Sequence, residues 1–460
     1  MQAVERFEHL FLGGGKGGKS LATELAKAGK RVAVVERGMI GGSCINVACI
    51  PTKTLIRSAR IADAVSHAAS FGIEAGAPNV DMKRVRARVK GVVDGLVEVN
   101  LNSFNAAGFD LLLGNGRFVA PRTIEVQLNE GGVRVLEGEH VYINTGTHAD
   151  VPAVPGLREA NPLTHVEALQ LETVPSHLIV LGGGYIGLEM AQALRRLGAK
   201  VTVLQRQARI ATREDADVSD AIADAFRADG IEIRTNAELV RVSGRSGERV
   251  ELMLTDRQRI EGSHILVATG RVPNTADIGL ELAGVETDRR GIVKVDERLR
   301  TTAANVYAIG EVAGTPMFTH ASFDDYRVLS SQLNGGAKTT RDRQIPYAMF
   351  IEPELARIGL NETEAAAQGV AVRVARLPMQ AVPRARTNSD TRGFMKLLVA
   401  ADSDQIVGFT MLGSEAGEVV ATVQVAMLGK LPYTVIRDAP LAHPTLAEGL
   451  NLLFAGVPAQ

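Results

Sequence analysis

Two cysteines occur in the 460-residue chain, five residues apart, in Gly41-Gly42-Ser43-Cys44-Ile45-Asn46-Val47-Ala48-Cys49-Ile50-Pro51-Thr52-Lys53. A chain of this length with two cysteines has no disulfide framework, and a close pair in one loop reads as a redox-active dithiol. C-x4-C is not a usual zinc half-site and no second pair completes one, so no metal site is expected. The plain alternative is two buried cysteines at chance spacing, since free cysteine is among the most buried residue types. A dithiol enzyme needs a proton shuttle near pH 7, and histidine is the side chain for it. His443-Pro444-Thr445-Leu446-Ala447-Glu448 offers one, with a carboxylate five residues on that can reach back to it. Taken alone, that motif also reads as a packed histidine.

Two glycine-rich turns must position the chemistry. The strand His9–Leu12 leads into Gly13-Gly14-Gly15-Lys16-Gly17-Gly18, then a helix from about Lys19 to Ala28 and a strand Arg31–Val35 ending in Glu36. This is G-x-G-x-x-G, at Gly13, Gly15 and Gly18, in a βαβ unit. Glu36 stands where a ribose hydroxyl needs an acceptor. The same residues match the P-loop pattern G-x-x-x-x-G-K-S from Gly13 to Ser20, and local context suits both readings. Glu36, the dithiol that follows and a second fingerprint downstream favour the dinucleotide.

In that second fingerprint, the strand His177–Leu181 precedes Gly182-Gly183-Gly184-Tyr185-Ile186-Gly187. A helix through Leu188–Leu197 and a strand Lys200–Leu204 follow. The strand ends in Gln205-Arg206, without the acid that would favour the free 2′-hydroxyl of NADH. With Arg209 nearby, this favours the 2′-phosphate of NADPH. The alternative is that Arg206 and Arg209 form a solvated face.

The Cys44–Lys53 segment resembles the active-site motif of the pyridine nucleotide–disulfide oxidoreductases, the family of glutathione reductase, dihydrolipoamide dehydrogenase and mercuric reductase. The resemblance covers nearly the whole chain. It implies an α/β fold of two Rossmann-like dinucleotide-binding domains plus a C-terminal α+β dimerisation domain. The FAD domain is expected at residues 1–150 and 271–340, the NAD(P)H domain at 151–270 and the interface domain at 341–460. The last follows a polar linker, Gly335–Arg343. It is read as strands Tyr347–Phe350, Ala371–Leu377, Gly393–Val399 and Ile406–Leu412, then helices from Ser414 and Tyr433.

The resemblance also assigns residues. FAD falls to Gly13, Gly15, Gly18, Glu36, Lys53, Thr145, Gly146, Gly310 and Glu311. NADPH falls to Gly182, Gly184, Tyr185, Ile186, Gly187, Glu189, Gln205, Arg206, Arg209 and Gly270. Tyr185 resembles the residue that covers the flavin, and Glu189 the carboxylate paired with Lys53. Two departures stand out. Asn144 replaces the Ala of an A-T-G strand end, and Glu311 replaces the usual Asp of the second FAD motif. Electrons are implied to run from NADPH through FAD to a Cys44–Cys49 disulfide. Cys49 is the flavin-side thiolate and Cys44 the interchange thiol. His443, oriented by Glu448 and supplied by the other subunit of a homodimer, moves the proton.

Within the family, Ser322–Arg327, Pro383–Arg386 and Asp390–Gly393 look most like the reactive-chlorine-resistance branch, associated with reduction of hypothiocyanous acid and copper(II). A small-molecule oxidant is therefore expected. Arg384 and Arg386 are read as an anion-attracting entrance or as surface charges. Mercury chemistry is disfavoured, because no further cysteine pair is present. A dihydrolipoamide dehydrogenase-like or low-molecular-weight disulfide reductase and a flavin-loaded redox sensor remain open. The net charge of −1 suggests no nucleic-acid partner. No signal peptide or membrane-length apolar run is visible, so the expected location is cytoplasmic.

Overall fold

The computed structural model describes residues 3–459. Its first sheet has six strands. Val4–Leu12 lies between Val32–Glu36 and Val133–Ile143, parallel to both. Val306–Ala308, from far along the chain, adds in parallel on the other side of Val133–Ile143. Leu10, Phe11, Ala33, Val34, Val141, Tyr142 and Ile143 are sealed from solvent. Burying each large apolar side chain contributes roughly 1.5–3 kcal/mol. The register therefore resists slipping, since a one-residue shift would turn every side chain over. It aligns Leu12 with Val35 and with Ile143, and Ala308 with Ile143. The loops that leave these strands, at Gly13, Asn144 and Ile309, thus converge at one edge. Ligands bind at such a switch point in open α/β sheets.

The first helix runs Lys16–Lys27, starting before the expected Lys19. Gly17 and Gly18 are helical despite the propensity cost, and packing explains it. A Cβ on Gly17 would lie 2.5 Å from Ile309 Cγ2 and from the Ser322 carbonyl. Ser43–Asn46 forms one turn, and Cys49–Ser66 is a helix with Cys49 as its first residue. The long helix Met82–Ala107 covers them, capped by the Asp81 carboxylate.

The second nucleotide unit repeats the logic in a four-stranded parallel sheet. His177–Leu181 lies between His264–Val267 and Lys200–Leu204, with Glu232–Arg234 outside. Its helix, Tyr185–Arg196, again starts inside the glycine motif. A Cβ on Gly187 would overlap the Gly182 carbonyl, so the third glycine permits the close approach of helix and strand.

The C-terminal portion is a five-stranded antiparallel sheet carrying Ala416–Leu428 and shorter helices. Leu355–Gly359, absent from the sequence-based reading, is one of its strands. Pro383–Thr387 is a short helix with proline in its first turn, where the ring costs nothing. The segment expected as a linker is tied down: Arg343 pairs with the buried Asp325, and Lys338 with Asp324. Among the described residues no helix is long and apolar enough to cross a membrane.

Candidate functional site

A cavity of about 670 Å³ opens at the converging strand ends. Gly13, Gly15, Glu36, Thr145, Gly146, Gly310 and Glu311 line it, and so does Cys44. Glu36 is buried and fully engaged. Its Oε2 accepts the Gly14 N–H at 2.8 Å, and its Oε1 accepts the N–H groups of Gly38 and Met39, both at 2.9 Å. Gly18 faces Asn144 rather than the cavity.

Asn144 explains its departure from alanine. Its Nδ2 donates to the carbonyls of Gly13 and Gly15, at 3.2 and 3.1 Å, and so clamps the glycine loop. A Cβ on Gly18 would lie 2.5 Å from the same nitrogen. The other departure is also absorbed locally. Glu311 accepts a hydrogen bond from Thr147, and Arg271 Nε lies 3.3 Å from the same oxygen.

These features fit FAD. The glycine cradle has no room for side chains, and a carboxylate ends the second strand. The buried Thr145 hydroxyl, in the cavity wall, has no hydrogen-bond partner among the described residues. A buried hydroxyl left unpaired costs roughly 1–3 kcal/mol, so a ligand group that meets it is favoured.

The dithiol lies at the edge of this cavity. Both cysteines are free and half-buried. Cys49 Sγ is 3.4 Å from Thr319 Oγ1. Lys53 stands one helical turn beyond Cys49, and its Nζ meets Glu189 Oε2 at 2.7 Å. The other Glu189 oxygen accepts the Phe350 N–H at 2.9 Å. That carboxylate is buried and joins the dithiol helix, the second nucleotide unit and the C-terminal sheet.

The two thiols have opposite acidities. Cys49 is lowered to about 6, chiefly because Cys44 donates to it, with help from Thr319 and Lys53 against burial. Cys44 is pushed up, by that same donation, by burial and by the neighbouring thiolate. The direction at Cys49 is that expected for a thiol at a helix N-terminus beside a cation.

At the second glycine turn, Gly182 and Gly184 form the loop, and Tyr185 and Ile186 begin the helix. Tyr185 donates to Glu214 Oε1 at 2.5 Å, and Tyr347 donates to the same oxygen at 2.8 Å. Gln205 mirrors Glu36: its Oε1 accepts the Gly183 N–H at 2.9 Å, while its Nε2 donates to Gln207. Arg206 is exposed and in no ion pair among the described residues. Arg209 is already paired with Asp220 at 3.0 Å. Gly270 lies just before the strand Arg271–Pro273, its carbonyl accepting the Asp150 N–H.

His443 and Glu448 are together, with Nδ1 to Oε2 at 2.9 Å. Glu448 is fixed in turn by the Thr445 N–H at 3.2 Å. His443 is exposed, and the cavity wall does not include it. Arg384 and Arg386 are exposed on their short helix, and Arg386 donates to the Gln380 carbonyl. Neither lines the cavity. Sequence reasoning missed Thr319, Thr147, Arg271 and Glu214, which act through folding contacts that leave no local motif.

Comparison with known proteins places these features. Residues 7–325 match the family model for pyridine nucleotide-disulphide oxidoreductases, and residues 345–453 match the model for that family's dimerisation domain. The probable pyridine nucleotide-disulfide oxidoreductase RclA of Escherichia coli is 36% identical, over 98% of this chain and 99% of its own length. A mercuric reductase of Streptomyces lividans is 35% identical, over 98% and 96%. The Cu(II) complex of the HOCl-induced flavoprotein disulfide reductase RclA superposes with a TM-score of 0.90, covering 98% of this chain and 99% of that one, at the same 36% identity.

Proposed function

The chain belongs to the pyridine nucleotide-disulphide oxidoreductase family, and from that premise we propose that it reduces a small oxidant at Cys44 with electrons from NADPH. The observation that carries this reading is the setting of one cysteine pair: Cys44 lines the cavity, while Cys49 opens its helix with Thr319 at 3.4 Å and the Lys53–Glu189 pair one turn on. The shifts run the same way, down at Cys49 and up at Cys44, which favours the thiolate on Cys49 and the proton on Cys44.

The FAD assigned to the cavity would be held by the Gly13–Gly18 loop, Glu36, Thr145, Gly146 and Glu311. When bound, it supplies the two-electron relay between nicotinamide and the cysteine pair. Everything else falls to side chains. Lys53, held by Glu189, keeps positive charge one turn from Cys49. Thr319 gives the Cys49 sulfur a hydroxyl neighbour. His443 of the partner subunit takes the Cys44 proton, and Glu448 keeps its ring in place.

Hypothiocyanous acid suits this pair. The Cys44 sulfur attacks the oxidant's sulfur, the S–O bond breaks, and water leaves with the proton that His443 returns. Cys49 thiolate then attacks Cys44, the new S–S bond closes, and thiocyanate departs. The cysteine pair loses two electrons and the oxidant gains two. The choice of oxidant is supported by the likeness to a reductase induced by HOCl, and copper(II), bound in that relative, is the second candidate.

NADPH is favoured because no acid stands at Gln205 and Arg206 is in no ion pair among the described residues. Arg209 must first leave Asp220. The FAD domain is drawn at 1–150 and 271–340, the NADPH domain at 151–270 and the interface domain at 341–460. The protein is read as a cytoplasmic homodimer.

The deciding experiment is NADPH consumption with hypothiocyanous acid, copper(II), mercury(II), lipoamide and oxidised glutathione. Fastest turnover with hypothiocyanous acid is expected. Faster turnover with lipoamide or glutathione disulfide would overturn the oxidant assignment in favour of an organic disulfide reductase.

A further inference from the structure

The glycine-rich loop carries a lysine that dinucleotide binding does not require. Lys19 completes the P-loop pattern, yet its ammonium does not face the cavity. It is about nine-tenths buried. Its Nζ donates to Asn100 Oδ1 on the helix Met82–Ala107. That acceptor is a neutral amide, and among the described residues no carboxylate pairs with Lys19. A buried ammonium without a counter-ion is costly, and an apolar side chain of similar length would fill the space at less cost.

Two close contacts fix where this charge lies. Asn100 presses on the turn that leads into the dithiol: a Cβ on Gly41 would sit 3.1 Å from Asn100 Cγ. The glycine loop and the dithiol turn also touch backbone to backbone, since a Cβ on Gly42 would be 2.8 Å from Gly15 Cα. The ammonium is therefore enclosed where the first helix, the long helix and residues 41–44 meet. Burial lowers Lys19 to about 8, Lys16 adds to the fall, and any charge on Cys44 opposes it. Reciprocally, Lys19 opposes the rise at Cys44.

We infer that Lys19 is a positioning residue for the reaction at Cys44, a cation enclosed against the turn that carries the attacking sulfur, which supports negative charge there and draws anionic electrophiles to it. This rests on the reading of Cys44 as the attacking thiol. It narrows the substrate class to small oxidants that are anions or that release one. It also accounts for a buried charge that neither the fold nor the nucleotide explains.

The test reads charge at Cys44 without using an oxidant. In Cys49→Ser holoenzyme, Cys44 is the only thiol. Its alkylation rate is measured with iodoacetate, an anion, and with iodoacetamide, which is neutral. In Lys19→Met the iodoacetate-to-iodoacetamide rate ratio should fall about fivefold, the effect of one unit charge several ångströms away at an intermediate dielectric. Lys19→Arg should keep the ratio. A packing defect would slow both reagents together and leave the ratio alone. An unchanged ratio in Lys19→Met overturns the proposal. If that variant loses its flavin, Lys19→Gln, which keeps an amide beside Asn100, is judged by the same ratio. Because no oxidant enters, a failed oxidant panel leaves this result standing, and an unchanged ratio leaves the panel standing.

Discussion

Replacing Cys44 with alanine should raise the pKa of a residue that is left untouched. In the reduced protein Cys49 falls from 9.0 to about 6, worth about 4 kcal/mol in favour of the thiolate. The largest contribution is the hydrogen bond from Cys44, ahead of Thr319 and Lys53. A hydrogen bond to a charged group contributes roughly 1.5–3 kcal/mol, so its loss should move Cys49 up by about one to two pH units. At pH 7 the thiolate fraction would drop from about nine-tenths to roughly a quarter. Cys44→Ser retains an O–H donor and should keep Cys49 near its starting value. The assay is the thiolate ultraviolet absorbance of the reduced holoenzyme against pH, with the iodoacetamide rate as a second reading. In the wild type the two steps belong to the pair, so the single-cysteine variants carry the assignment. If the alanine and serine variants titrate together near 6, the helix N-terminus, Thr319 and Lys53 suffice without Cys44. The division of roles within the pair would then lose its basis.

Three further outcomes are expected. Arg206→Ala should raise KM for NADPH about tenfold while leaving NADH within twofold, the loss of one charge-assisted phosphate contact; Arg209→Ala should do less, because Arg209 is held by Asp220. Equal effects on both nucleotides in steady-state kinetics would place Arg206 on a solvated face. Acid should destabilise the fold through His165, a buried ring whose value falls to about 4 because of burial and Arg271. The unfolded chain takes up the proton first, so this stability is fully present above about pH 6.5 and is lost as pH falls toward 4, on the order of 3 kcal/mol in all. Urea midpoints at both ends of that window should differ more in the wild type than in His165→Phe. Finally, mixing Cys44→Ser with His443→Ala subunits should restore part of the activity if the histidine acts across the interface, whereas verified exchange without recovery would put it within its own subunit.

What the sequence made legible is what one segment of chain can specify alone. Cys44, Cys49 and Lys53 are fixed relative to one another by a turn and a helix. The strand–glycine–helix units hold Gly13–Gly18 and Gly182–Gly187 in place by local backbone needs. The first helix starts before the expected Lys19, and only contacts far along the chain show why small residues continue it there: Gly17 packs against Ile309 and Ser322, and Gly18 against Asn144. The same limit applies to residues whose partners are distant. Asn144 looked like a minor departure until the strand register set it under Gly13 and Gly15. In the sequence Gln205 stands out as a missing acid, and in the fold it is also the prop of its own glycine loop. Glu311 draws its meaning from Arg271 and Thr147, which arrive from a separate two-stranded ribbon.

Lys19 shows the limit from the other side. Its motif suggested a phosphate, but a motif specifies only which residues are near in sequence. The close approach of Gly42 to Gly15 and of Asn100 to Gly41 sets the lysine's acceptor against the turn that carries Cys44. His443 carries the argument one step further. Its pairing with Glu448 is complete within the subunit, yet the ring is exposed and lies outside the cavity wall that contains Cys44. A base oriented this firmly and turned to solvent in one subunit is accounted for if a second subunit brings its thiol there. The chain's match to a dimerisation domain over residues 345–453 supplies the means.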